Sequence, residues 1–443
     1  MFDVNVAAIL IISLLALVAL GVHIAIALGV TGALGVYFVT GDVRVVATML
    51  GSTAYESLRD YVFAVIPLFM LMGEFIAKSG AVTDVYRGIN RLLKRLPGRL
   101  AIATVLGNAL FSFVTGVSIA SAAAFSRIAY PEMKRFGYHK GFALGAVAGS
   151  SCLGMLIPPS VLMIVWGILT EKSIGQIFLA GVLPGLMLTL LFVVYIFVTA
   201  IFRPSVVGGN VDTQAAESTD DVSLAAILTS MAGILAVIVA VLGGIWFGVF
   251  TPTEGAGAGA FIGLVLGVIK GMRYKDIVDS ILSVGRTSAP ILLLLVTASL
   301  YSRTLAMTGV TNAIQDLFLD TGLAPFVIIG IMVLVWFLLG MVIDSISIML
   351  LTVPIFAPIA EALGYDPIAF AIVGILAIEA GLLTPPFGLL VYTVKAAMQD
   401  EDASVSLVTI FKSSMPYWAI ILLAMVLIVL FPQIALVLPN LVF

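Results

Sequence analysis

The chain has 443 residues, 62% of them hydrophobic and 10% charged, with a mean hydropathy of +1.22. A soluble domain carries about 25% charged residues, so this sequence cannot cover a water-facing surface. The net charge of −3 is shallow, and no nucleic-acid partner is expected; the single cysteine, Cys152, and two distant histidines, His23 and His139, exclude an internal disulfide and a Cys/His metal centre.

Taken in chain order, apolar runs predict membrane-spanning helices near 4–21, 23–40, 61–78, 141–170, 176–202, 223–249, 253–271, 286–306, 367–394 and 414–438. The first run has no basic flank and no small-residue cleavage site, so it reads as a span and not a signal peptide. The runs lack the ten-residue alternation of a β-barrel. Two further apolar segments, 100–126 and 323–360, are settled by charge. With the N-terminus outside, Arg87, Arg91, Lys94, Arg95 and Arg99 fall inside, as positive-inside bias requires. Arg127, Lys134, Arg135 and Lys140 must also be inside, so 100–126 enters and returns as a re-entrant hairpin. Segment 323–360 lies between an outer loop at 312–320 and an outer Asp366, and is re-entrant from the other face. Only Arg44, Arg59, Lys172 and Arg303 of the 21 Lys and Arg residues remain outside.

The polar stretch 204–222 is the one clear linker. It separates a first half, 1–203, from a second, 223–443. The first comprises a scaffold portion 4–99, a hairpin 100–135, a span 141–170 and a span 176–202. The second carries a hairpin at 323–360 and a span at 367–394. Sliding the halves by 227 residues superposes Ser118 on Ser345, Pro131 on Pro358, Gly137-Tyr138 on Gly364-Tyr365, Gly154 on Gly381, and Pro158-Pro159 on Pro385-Pro386. Five spans per half is an odd number, so the second copy is inverted. The fold class expected is an all-α polytopic membrane protein of inverted-topology repeats with two re-entrant hairpins and two broken helices. That architecture belongs to secondary transporters, whose sites lie between the copies.

The breaks are where chemistry is expected. Gly154-Met-Leu-Ile-Pro158-Pro159 and Gly381-Leu-Leu-Thr384-Pro385-Pro386 interrupt spans with residues that lack amide donors, freeing carbonyls one turn earlier. Free carbonyls and a helix C-terminal end suit a hard cation such as Na⁺, and the facing N-terminus suits an anion. A proline pair can be a mere kink, but its recurrence in both copies argues otherwise. The hairpin tips, 112–118 and 340–347, are rich in Gly, Ser and Thr. Ser118, Asp344, Ser345 and Glu379 are candidates for substrate or a third ion, because intramembrane acids are costly and functional by default. Glu74 is a lesser candidate, since Lys78 stands one turn away. No nucleotide loop, soluble domain or paired catalytic aspartates are evident; an enzyme is not expected, nor any organic cofactor. An ion gradient is the default energy source.

Ile66-Pro-Leu-Phe-Met70, residues 113–120, Gly137-Tyr138, Ile157-Pro-Pro159, Thr251-Pro-Thr-Glu-Gly255, Asp344-Ser345 and Thr384-Pro-Pro-Phe-Gly388 together resemble the large membrane (M) subunit of tripartite ATP-independent periplasmic (TRAP) transporters. The resemblance spans essentially the whole chain. It implies an elevator-type, Na⁺-coupled carrier in a bacterial or archaeal inner membrane. It also implies a separate small membrane (Q) subunit and a soluble periplasmic binding (P) protein that delivers an organic acid anion, such as a C4-dicarboxylate or sialic acid. By the family pattern one Na⁺ site would involve Ser112, Gly116, Gly154, Ile157 and Pro159, and the other Gly340, Gly381, Thr384 and Phe387. The hairpins and broken helices are expected to move as one block past a frame containing 177–202 and 224–250, braced by amphipathic segments 42–60 and 274–286. The rival readings are a stand-alone Na⁺/dicarboxylate symporter and a channel.

Overall fold

The computed structural model describes residues 4–208, 224–319, 322–399, 401–402 and 404–443. Among these the chain is helical, apart from one isolated bridge between Tyr138 and Val207. The first copy runs α1 (Val4–Ala19), α2 (Ile24–Thr40), α3 (Val43–Arg59), α4 (Val65–Lys78) and α5 (Ala81–Leu92). The hairpin α6 (Arg99–Thr115) and α7 (Ser118–Arg135) follows, then α8 (Lys140–Ser151), α9 (Leu153–Leu156), α10 (Val161–Thr170) and α11 (Ile174–Phe202). The second runs α12 (Leu224–Ile238), α13 (Pro252–Ile269), α14 (Tyr274–Thr308) and α15 (Val310–Leu319). Its hairpin is α16 (Pro325–Gly340) and α17 (Ser345–Ala362), followed by α18 (Pro367–Gly381), α19 (Leu389–Ala397), α20 (Leu407–Leu430) and α21 (Gln433–Val442). Of the expected linker, Pro204–Val206 forms a short 3-10 turn; residues 209–222 lie outside the described residues.

The 227-residue repeat is physical. Helices α7 and α17 begin at 118 and 345 and end at 135 and 362, and α8 and α18 begin at 140 and 367. The Gly-Tyr pairs are the helix stops. Gly137 and Gly364 take φ of +72° and +82°, a conformation that glycine alone adopts without penalty. Each stop is closed the same way: Gly137 N–H donates to Lys134 and Tyr138 N–H to Met133, as Gly364 does to Glu361 and Tyr365 to Ala360. Packing then interleaves the copies. Helix α2 lies on α14 and α4 on α13, while α10 lies on α17 and α19 on α7. Trp166 of α10, Trp336 of α16 and Phe370 of α18 meet in a buried cluster with centroids 5.1–6.1 Å apart. Trp336 Nε1 donates to Thr352 Oγ1 at 2.7 Å, whereas Trp166 Nε1 is buried without a hydrogen-bond partner.

Four expectations are corrected. Residues 274–286 and 286–306 are not separate; α14 is one 35-residue helix, about 52 Å long at 1.5 Å per residue. In the first copy Asp60 stops α3 and accepts from Val62 N–H, restarting the chain toward α4; α14 holds no such stop. The last span ends at Leu430, because Pro432 interrupts the helix and 433–442 forms the separate α21. Residues 312–319 belong to α15, not an outer loop. Finally, 177–202 does not stand apart from the hairpins and broken helices as expected. Helix α11 packs on α6, α10, α18, α20 and α21 and touches 244–246 at one end, whereas α12 packs mainly on α5 and α13, with a smaller contact to α6.

Candidate functional site

Both breaks carry a cis bond between adjacent prolines, Pro158-Pro159 and Pro385-Pro386. At the first, Pro158 and Pro159 offer no N–H to the carbonyls of Gly154 and Met155. Ser160 Oγ replaces one lost donor, reaching Met155 O at 2.5 Å; Gly154 O loses its helical partner. The tip of the first hairpin closes over this gap. Gly116 has φ +62°, and an added Cβ would strike the Pro159 carbonyl oxygen. Gly116 O in turn accepts from Val161 N–H at 3.1 Å, and Ser112 O accepts from Gly116 N–H at 3.3 Å. Gly154 lies so near Ser118 that a Cβ would stand 2.9 Å from its backbone. Ser112, Gly116, Gly154 and Pro159 are thus brought together, with Ile157 between the glycine and the prolines. Behind them, Ser112 Oγ donates to Asn108 O at 2.6 Å and Asn108 Nδ2 to Ser150 Oγ at 2.6 Å. Asn108 Oδ1 is buried without a partner.

The second site is built alike. Gly340 at the hairpin's first arm meets Gly381 before the break; a Cβ on Gly340 would stand 2.8 Å from Ile378 O and 2.9 Å from Gly381 Cα. The tip is stitched to the break by Phe387 and Gly388 N–H groups, which share Met341 O at 3.1 and 3.3 Å. Thr384 Oγ1 donates to Ala380 O at 2.8 Å, which leaves its lone pairs open. The two sites differ in cover. Residues 148–160 are buried throughout, whereas Pro385, Pro386 and Phe387 are exposed.

The remaining candidates fall in two places. Ser118 Oγ donates to Glu379 Oε2 at 2.7 Å, a fully buried bond joining the two repeats. Asp344 is not joined to that pair. Its carboxylate caps α17 through Ser347 N–H at 3.0 Å and lines a cavity of about 470 Å³ with Ser347, His23 and Leu294. Ser345, the repeat counterpart of Ser118, is buried beside Asp344. Glu74 pairs with Lys78 at 3.5 Å, one helical turn away, which accounts for it.

Sequence reasoning missed the fastenings of this assembly. Asp402 receives Tyr130 Oη–H at 2.9 Å, Lys134 at 3.3 Å and Lys140 at 3.1 Å, tying the first hairpin's base to the chain after the second broken helix. The Ser404, Tyr130 and Lys140 contacts hold the Asp402 carboxyl well below the usual carboxylate range. Lys172, after the first broken helix, meets Glu361 of the second hairpin at 3.3 Å. Lys134 and Glu361 stand 227 residues apart, so the same clamp occurs twice with charges reversed. That offset was the available signal. Elsewhere, Asp84 of α5 bonds Lys270 and Ser230, and Arg303 of α14 meets Glu56 of α3.

Among the described residues no group of three His, Cys, Asp or Glu could hold a metal ion; the oxygens gathered at the two breaks are backbone carbonyls and the Ser112 and Thr384 hydroxyls. Solved transporters share the fold. The YdaH transporter of Alcanivorax borkumensis aligns with TM-score 0.60 at 14% identity, covering 90% of this chain and 89% of that one. MtrF of Neisseria gonorrhoeae gives TM-score 0.60 at 15% identity, covering 88% and 84%. Sequence relatives are nearer. The C4-dicarboxylate TRAP transporter large permease protein DctM of Pseudomonas aeruginosa is 32% identical over 416 residues, 93% of each chain. The ectoine permease TeaC of Halomonas elongata is 28% identical, covering 98% of this chain and 99% of that one. The sialic acid permease SiaM of Vibrio cholerae is 27% identical over 87% of each. Residues 11–434 match the family described as the tripartite ATP-independent periplasmic transporter, DctM component. The chain therefore belongs to that family, as a TRAP transporter large permease subunit.

Proposed function

We propose that this permease drives uptake of a small organic acid anion with the Na⁺ gradient. A soluble periplasmic binding protein delivers the substrate, and a small membrane subunit stands beside the frame. The observation that carries the reading is the duplicated break. Each copy presents a hairpin tip and a proline-interrupted helix in backbone contact, with carbonyl and hydroxyl oxygens and no carboxylate or thiolate in the contact. Such a set suits a monovalent hard cation. One site holds Ser112, Gly116, Gly154, Ile157 and Pro159; the other holds Gly340, Gly381, Thr384 and Phe387. Ser118, Ser345, Asp344 and Glu379 lie between and beside them, where an anion or third ion would sit.

The hairpins, broken helices and α11 share clamps and a core, which supports their travelling as one unit. Ligands drawn from a tip and a break must move together or separate at every cycle. The N-terminus is placed in the periplasm by the basic residues, and the membrane is the inner one. Relatives named for C4-dicarboxylates, ectoine and sialic acid mark the range of substrates, all small carboxylates.

The test is reconstitution in liposomes with the small subunit. Uptake that requires the binding protein supports the reading. Equal uptake without it would replace it with a stand-alone Na⁺/dicarboxylate symporter.

A further inference from the structure

We propose that a basic cavity at the base of the first hairpin binds an anionic phospholipid, with the phosphate held by Lys94 and Arg99 and an acyl chain laid along α11. The cavity measures about 590 Å³, within the range of about 300–1,000 Å³ usual for ligand sites. Three stretches wall it. Residues 94–100 join α5 to the hairpin's first arm, Phe136 and Tyr138 join the second arm to α8, and the end of α11 with the turn after it closes the third side. His139 N–H donates to Val206 O at 2.8 Å, and a Cβ on Gly208 would strike the Phe136 carbonyl oxygen, so that turn is fixed against the hairpin. At Gly98 a Cβ would stand 3.1 Å from Ala200 Cβ, which fixes the first arm against α11.

The charge lining this cavity has one sign. Lys94 and Arg99 line it, and no Asp or Glu does. The Arg99 guanidinium lies 5.2 Å from the centre of the Phe136 ring, which holds its planar head at the wall, and Arg135 reaches the same ring at 5.8 Å. Tyr138 Oη accepts from Leu100 N–H at 3.2 Å, so its own proton is left to donate. Two cations and a hydroxyl donor suit the oxygens of a phosphate. A zwitterionic headgroup also brings an ammonium, which no lining carboxylate receives, so a headgroup of net negative charge fits better. The acyl chain follows from α11. Leu190, Val194, Val198 and Ile201 are exposed at helical spacing, and the apolar stripe they form ends at the cavity, which Ile201 lines. From Leu190 to Ile201 is about 16 Å at 1.5 Å per residue, the depth of one leaflet in a hydrocarbon core about 30 Å thick. A soluble phosphate shares the headgroup's chemistry but has nothing to lay on that stripe. Placing the lipid in the inner leaflet rests on the positive-inside reading of the basic residues; the site stands whether or not the two breaks bind Na⁺.

The test is a scintillation proximity assay on the purified permease with its small subunit. The radiolabelled probes are short-chain phosphatidylglycerol, phosphatidylcholine of equal chain length, and inorganic phosphate. Wild type should prefer phosphatidylglycerol about thirtyfold, and Lys94→Gln with Arg99→Gln should remove that preference, at about fivefold per charge. Lys275→Gln with Arg286→Gln, two exposed basic residues of α14 also read as inner, should leave it unchanged. Equal binding of the two lipids by wild type, or equal loss in both double variants, would overturn the proposal. Saturable phosphate binding lost with Lys94 and Arg99, without preference between the lipids, would assign the cavity to a soluble phosphate and overturn the lipid. Should the first double variant fail to insert, wild type alone decides. Phosphatidylglycerol with a photoreactive acyl chain should label 190–201 more heavily than the matched phosphatidylcholine does, and equal labelling would overturn the proposal.

Discussion

Gly116→Ala is the sharpest probe of the first cation site. Gly116 sits at φ +62°, where an L-residue costs about 1–2 kcal/mol. Its new methyl would strike the Pro159 carbonyl oxygen and stand 3.2 Å from Pro159 C and 3.3 Å from Ser160 Cα. All three are backbone atoms, so no side chain can swing aside, and overpacking of this kind costs about 1–3 kcal/mol. Together the penalties reach about 2–5 kcal/mol, and they fall on contact between the tip and the break. Relief comes from moving the two apart, which opens the coordination shell. At 1.4 kcal/mol per decade, the Na⁺ needed for half-maximal uptake should rise about thirtyfold or more. The assay is uptake against Na⁺ concentration in liposomes, with Na⁺-induced thermal stabilisation of the purified protein as a second reading. Gly257→Ala, at a helical position with nothing within 4 Å, controls for expression. Wild-type Na⁺ dependence in Gly116→Ala would refute the reasoning.

At the second site, Thr384→Ala should raise the Na⁺ requirement about tenfold by removing one oxygen, while Gly381→Leu crowds Gly340 and should abolish Na⁺-dependent uptake; unchanged Na⁺ curves in both would exclude this site. The Asp402 clamp carries a sign in pH. A carboxyl held below its ordinary value of about 3.9 lends stability that is fully present above that value and lost as pH falls through the lower folded one. Asp402→Asn should therefore unfold at lower temperature than wild type at neutral pH, and the gap should close in acid; a gap constant with pH would contradict the clamp. Cysteines placed in α4 and at the α6 tip, where Gly73 abuts Thr115, should cross-link, halt uptake and release it on reduction. Linked protein that still transports would rule out motion of the block past the frame.

Much of the architecture was written in the sequence because it is written twice. Proline pairs, glycine stops and serine tips recur at one offset, and each has a local physical cause that survives without knowledge of packing. Basic residues located the hairpins for the same reason: charge cannot be left in hydrocarbon. What was hidden depends on partners far apart in the chain. Nothing local to 177–202 says which helices it will touch, and an unbroken apolar helix suits a frame or a block equally. Helix α14 looked like two elements because its first third is amphipathic, yet polarity changes without a stop signal do not end a helix. At the site, Glu379 and Ser118 were legible as polar residues in apolar surroundings, but not as partners, being 261 residues apart. Asp402 stands in a polar stretch where an acid is ordinary, so only the offset between Lys134 and Glu361 pointed toward its clamp.

The central claim is that two proline-broken helices make this permease a Na⁺-driven carrier. The direct measurement is uptake by the reconstituted complex, loaded with binding protein and labelled substrate, under an inward Na⁺ gradient and then with choline replacing Na⁺. The account predicts accumulation with Na⁺ that is steeper than first order in its concentration, since two sites must fill, and only binding-level counts with choline. Equal accumulation in choline, with the proton gradient collapsed, would contradict it.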